Sequence, residues 1–221
     1  MCAVKHFDHS LSKSERQKIA GLTSPIRIQD YLDQLEYSAD PFYRCPLRVL
    51  RDAKAHCFDG AIFAAMILSR IGFQPLILEM LPNHRDDDHL LALFKQNGHW
   101  GAAAKSNFVG LRFREPVYRT LRELVMSYFE SYYNIEGEKT LRGYTAPLNL
   151  NRLKKSNWMT DDKALDLIAD RLDTQQRWRI LTAGMDERLS LVDERSKKAG
   201  LLYVNEAGLY KPAPHHNGRI E

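Results

Sequence analysis

Cys57 opens the stretch CFDGAIFAAMILSRIG and His89 opens HLLALFKQNGHWG, so a thiol and an imidazole each stand at the head of an apolar element. The run from Ala61 to Leu68 reads as a buried helix that Gly72 stops, with Cys57 in its first turn. A helix N-terminus presents unpaired backbone N–H groups and the positive end of the peptide dipole, which stabilise a thiolate and lower a thiol pKa. An imidazole beside it supplies the proton acceptor, and the pair becomes a cysteine nucleophile activated by a histidine base. A free cysteine is ordinarily core. Here an inert one would sit among Ala61 to Leu68, whereas Cys57 lies between the charged RDAKAH and Asp59-Gly60.

Other polar residues carry weaker readings. Asp59 reads as a helix-start carboxylate, and its charge opposes thiolate formation. Asp86, Asp87 and Asp88 fit a solvated loop first, and recognition of a basic substrate or calcium second. Trp100 reads as hairpin packing, and Arg112 and Arg114 as partners of Glu115 and Glu123 or of a substrate carboxylate. His215 and His216 define no zinc site, and Cys2, Cys45 and Cys57 have no zinc-ligand spacing, so no metal and no cofactor are expected.

The elements that must position Cys57 and His89 follow from periodicity and punctuation. Residues 1–22 read as a loosely attached tail with a short helix ending near Gly21. Ser24-Pro25 starts an amphipathic helix carrying Ile28, Tyr31, Leu32 and Leu35, and ADPFYRCPLRVLRDAKAH is an irregular loop into the cysteine helix. QPLILEML is a strand, and Asn97-Gly98 turns HLLALFKQ back into HWGAAAK. FVGLRFREPVY is a third strand ended by Pro116, RTLRELVMSYFESYYN a helix, and TLRGYTAPLNL an edge strand. The expected division is a core domain over 23–150 and a largely helical accessory region over 151–221, with a small hairpin turning at Glu206 to Gly208 and a disordered end, APHHNGRIE.

With 221 residues the chain can bury a substantial core. Its net charge of +4 is spread among interleaved acidic and basic residues, which argues against nucleic acid as a partner. Its apolar stretches are too short to span a bilayer, and MCAVKHFDHS lacks a signal-peptide hydrophobic region, so a cytoplasmic location with reduced thiols is expected and no membrane partner.

The order of cysteine helix, strand, loop, histidine-led strand, hairpin and strand, carried by HCFDGAIFAAMILSRIGFQP and DDDHLLALFKQNGHWGAAAKSN, resembles the transglutaminase-like superfamily, related in its core to papain-like proteases and arylamine N-acetyltransferases. The likeness covers roughly residues 40–145 and points to a bacterial branch. It implies an α+β fold, an antiparallel sheet packed on the Cys57 helix, with Cys57 as nucleophile and His89 as base in acyl transfer or hydrolysis of a peptide or amide substrate. The family's third residue, usually an aspartate on the strand after the histidine, has no acidic counterpart in HWGAAAKSN. Asn107 is the first choice, Ser106 the second, and Asp59, Glu79 or Asp88 alternatives from elsewhere. The rival class is a catalytically weak protein-binding module whose C-terminal region, with Trp158 and Trp178, docks a protein partner.

Overall fold

In the computed structural model, residues 3–153 and 156–212 are described; Cys2, His215, His216 and the APHHNGRIE end lie outside them. The chain is α+β, as expected. Three helices come first, α1 (Ala3–Ser10), α2 (Lys13–Ala20) and α3 (Pro25–Gln34), the last with Ser24 as N-cap and Pro25 in its first turn. Strand β1 (Glu36–Tyr37) pairs in parallel with β2 (Lys54–Ala55), bracketing α4 (Pro46–Asp52). Helix α5 (Cys57–Arg70) follows and ends before Gly72, whose φ of +97° suits glycine.

The main sheet is antiparallel, built from β3 (Leu76–Pro82), β4 (His89–Gln96), β5 (His99–Ala103), β6 (Arg114–Tyr118), β7 (Leu141–Thr145), β8 (Leu148–Asn149) and β9 (Arg177–Arg179). Its order is β6-β5-β4-β3-β7-β9, with β8 also on β3. Gln96 pairs with His99 across Asn97 and Gly98, both at positive φ, which is the tight hairpin read from sequence. Between β6 and β7 lies α6 (Leu121–Met126), and after β8 come α7 (Asp166–Asp173) and α8 (Glu194–Gly200).

Strands β3 and β4 are covered on both faces. Ile77, Leu90, Ala92 and Phe94 pack with α5, while Leu78, Met80, Leu91 and Leu93 pack with Leu124, Tyr128 and Tyr132. HLLALF is therefore a continuous apolar run, as a strand buried on both sides must be.

Several expectations need correction. The N-terminal residues are no loose tail: Phe7, Leu11, Ile19 and Leu22 belong to the same core as α5. Residues beyond 150 share it too, through Trp158, Leu165, Ile168 and Leu172, and β9 extends the main sheet. Trp158, 2 % exposed, is therefore unavailable to a docking partner. The third strand starts only at Arg114, after a 3-10 turn at Val109–Leu111, and runs through Pro116, which an edge strand tolerates. β7 lies inside the sheet rather than at its edge, and Glu206–Gly208 is a 3-10 turn, not a hairpin. No helix of the described residues is long and apolar enough to cross a membrane.

Candidate active site

Cys57 is the first residue of α5, and the turn that holds it is braced from the side of the preceding loop. The fully buried Asp59 carboxylate accepts the backbone N–H of His56 at 3.1 Å and of Arg44 at 2.9 Å. Arg44 in turn donates to Ser38 at 2.8 Å and Asp52 at 3.1 Å, and pairs with Asp40. Asp59 is thus a helix-start carboxylate, and burial lifts its pKa to about 6 against the pull of those two N–H groups. Each of its oxygens holds one of these backbone N–H groups, and its recorded hydrogen bonds include none to His89.

The Cys57 side chain is nearly sealed, at 2 % exposure, with Sγ 3.2 Å from Nδ1 of His56 and 3.9 Å from the Asp88 carbonyl oxygen. Burial pushes its thiol well above the ordinary range, the Asp88 and Asp87 carboxylates add to this, and the Leu90 N–H opposes it. The lowered pKa expected from the helix N-terminus is overturned, because desolvation of a thiolate outweighs a dipole whose terminus is itself buried. In the closed cleft Cys57 is a neutral thiol.

His89 is the first residue of β4, 5 % exposed, and its Nε2 lies 2.8 Å from the Leu111 carbonyl oxygen. A carbonyl only accepts, so Nε2 carries the proton and Nδ1 the lone pair. Burial lowers the imidazole pKa to about 4, opposed by the Leu111 carbonyl. The unfolded chain takes up this proton near pH 6.5 and the folded chain only near 4, so the unfolded state binds more protons between those values. Acidification across that window should therefore remove up to ~3 kcal/mol of stability through His89. Asp59 and Asp86, each pushed up to about 6, act in the opposite sense, so a comparison of variants is needed. Urea unfolding at pH 7 and pH 4.5 should show wild type losing more stability than His89→Gln; equal losses would contradict a buried neutral imidazole.

Cys57 and His89 line one narrow cleft of about 50 Å3, together with Tyr37, Ser106, Asn107 and Tyr210. The charged loop before His89 is tied down through its backbone and Asp86, while Asp87 and Asp88 are exposed, as read from the sequence. Tyr132 donates its hydroxyl to the Asp87 carbonyl at 2.8 Å, Thr140 donates to the Asp86 carboxylate at 2.5 Å, and Asn134 donates to the Arg85 carbonyl at 3.2 Å. Asn107 shares the cleft with the imidazole, but its recorded hydrogen bonds go elsewhere: Nδ2 donates to the Asn205 carbonyl at 2.9 Å and Oδ1 accepts the Asn205 N–H at 2.8 Å. Ser106 accepts the Phe108 N–H at 3.0 Å. Arg112 pairs with Asp33 at 3.1 Å, and Arg114 lies 3.8 Å over the Tyr128 ring.

Asn205 also donates Nδ2 to the Tyr37 carbonyl at 2.9 Å, and Gly208 approaches Tyr37 so closely that a Cβ there would lie 2.8 Å from its ring. The segment around Asn205 to Tyr210 thus forms one wall of the cleft. A chain ending at Val204 should alkylate Cys57 with iodoacetamide at least about tenfold faster than the full chain, with Cys45 unchanged as internal control. Unchanged Cys57 labelling would mean that this wall does not govern access.

Three groups escaped sequence reasoning. His56, which touches the sulfur, was signalled only by its place before Cys57. The Leu111 carbonyl is a backbone atom and leaves no mark in residue type. Asn205 meets Asn107 across 98 positions of chain.

No protein-family model matches the chain, and no curated protein matches it. Among solved structures the chain is similar to LapG of Legionella pneumophila in its calcium-bound form, with a TM-score of 0.35 and 14% identity over 47% of this chain and 70% of that one. A second LapG structure gives 0.35 and 15% over 48% and 71%, and the EGTA-treated form 0.34 and 14% over 48% and 70%.

Proposed function

We propose that the chain is a transglutaminase-like cysteine enzyme of the acyl-transfer class, with hydrolysis of a peptide or amide bond as the favoured outcome. The observation that carries this reading is that Cys57, at the head of α5, and His89, at the head of β4, line one cleft with the imidazole fixed in the tautomer of a base. Nδ1 of His89 takes the thiol proton as Cys57 Sγ attacks the substrate carbonyl. Backbone N–H groups at the start of α5 stabilise the resulting oxyanion. The imidazolium then returns the proton to the leaving amine, and water or a second amine releases the acyl group. Leu111 holds Nε2 during this cycle, as a neutral acceptor where the family commonly has a carboxylate. Asn107, the sequence's choice for that place, secures the C-terminal segment on this reading. A neutral thiol at rest means that proton transfer accompanies attack, in place of a standing thiolate–imidazolium pair.

The sealed thiol favours the rival reading, a silent fold that binds a peptide or protein. The test is to treat the full chain and the chain ending at Val204 with p-nitrophenyl acetate and map acetylation by peptide mass spectrometry. An acetyl group on Cys57, absent from Cys45 and lost in His89→Ala, is the expected result. Acetylation that ignores Cys57 in both chains would leave the silent fold.

A further inference from the structure

A second cavity, of about 310 Å3, opens beside the cleft and is walled by Tyr43, Phe58 and Leu172, with Glu79, Asp87 and Asp88 among its lining. The Tyr43 and Phe58 rings stack at 4.2 Å between centroids, giving it a flat apolar wall. Glu79, on β3, is 6 % exposed, and its Oε2 has neither solvent nor a hydrogen-bond partner. An unpaired buried carboxylate is costly and calls for a proton or a cation. No described cation forms an ion pair with Glu79, Asp87 or Asp88, and Asp173, also in the lining, meets only Arg177, at 3.5 Å. Asp88 is exposed, yet its carboxyl pKa is raised, first by the surrounding protein and then by the Glu79 carboxyl against it, an acidic pair that a cation would relieve.

We infer that this cavity receives the cationic side chain of the substrate, lysine or arginine, with the aliphatic stem along Tyr43, Phe58 and Leu172 and the charged head at Glu79 and Asp88. Three features select an organic cation over a metal ion. Among the described residues no three His, Cys, Asp or Glu side chains converge as a ligand set. Five of the ten lining residues are apolar or aromatic, Tyr43, Phe58 and Leu172 among them, which fits a hydrocarbon stem. The volume admits a whole lysine or arginine side chain and lies at the lower end of small-ligand cavities. The connection to the cleft is short: His56 lines the cavity while its Nδ1 touches the Cys57 sulfur, and Asp87 and Asp88 border both spaces. Burial lowers the His56 imidazole pKa, against the pull of the Asp87 and Asp88 carboxylates. A side chain seated here would therefore belong to a residue next to the carbonyl presented to Cys57.

That the cavity serves catalysis rests on the acyl-transfer reading; that it binds a cation does not, and the two are separable. With the full-length Cys57→Ala chain, ligand-observed NMR titration of Nα-acetyl-lysine amide and Nα-acetyl-arginine amide should show binding, with Nα-acetyl-norleucine amide at least about tenfold weaker. Glu79→Gln should weaken the lysine amide at least about tenfold, and Asp88→Asn provides an independent check should the first variant fail to fold by circular dichroism. Lysine amide that does not bind, or binds no better than norleucine amide, overturns the inference. So does calcium chloride alone, if it occupies the cavity and excludes the lysine amide. Binding of the lysine amide with no acetylation at Cys57 would remove the chemistry and keep the cavity; acetylation without binding would do the reverse.

Discussion

Turnover of an activated ester should fall by roughly 10^4-fold or more when Cys57 is replaced by alanine, and by about 10^2- to 10^4-fold when His89 is replaced. The first loss is that of the nucleophile itself, for which nothing nearby substitutes: the other described thiol, Cys45, is buried and has its pKa pushed up to about 12. The second is the loss of the base that a neutral thiol requires, since Cys57 holds its proton in the closed cleft. His56 makes this a discriminating experiment, because its Nδ1 is the imidazole nitrogen within 3.2 Å of the sulfur. His56→Ala is expected to cost less than His89→Ala, since the fixed tautomer of His89 leaves Nδ1 as the acceptor and the Leu111 carbonyl steadies the imidazolium that forms. A larger loss for His56→Ala would transfer the base role to His56. Both variants should retain the wild-type circular dichroism spectrum, and kcat rather than KM should carry the effect.

Gly60→Ala should destabilise the protein by about 1–3 kcal/mol, opposite to the gain of ~1 kcal/mol expected in an open helix. A Cβ at Gly60 would lie 2.3 Å from Cβ of Lys105, an atom too near the main chain to swing away. Lys105 is itself fixed: it is 6 % exposed, and its Nζ donates to the carbonyls of Leu32 at 2.9 Å and Leu35 at 2.5 Å, at the C-terminal end of α3. Burial lowers the pKa of that amine, and the two carbonyls hold it in place. The methyl group would therefore push α5 away from the residues that follow β5, and Cys57, one turn earlier, would move with it. Urea unfolding measures the stability, and Cys57 labelling the displacement. A stabilised Gly60→Ala protein would show that the close approach is not maintained in solution.

The amino-acid order alone determined what is local. Ser24-Pro25 started a helix because the capping hydroxyl and the fixed proline φ act within one turn, and Asn97-Gly98 made a hairpin because both positions accept positive φ. The all-round apolar face of α5 announced a central buried helix, and Asp59 announced its start. Tertiary structure decided the rest. Burial set the Cys57 thiol high where the helix terminus by itself would set it low, because desolvation depends on everything packed around the sulfur. The partner of His89 is a carbonyl at Leu111, invisible to any reading of side-chain types, and Asn107 meets an asparagine that only the return of the C-terminal segment brings near. Glu79 and Asp88 face each other because β3 and β4 pair in antiparallel register, Glu79 opposite Leu90. Short-range preferences are written into adjacent residues. Contacts across the sheet depend on strand order and register, which the summed burial of the whole core selects.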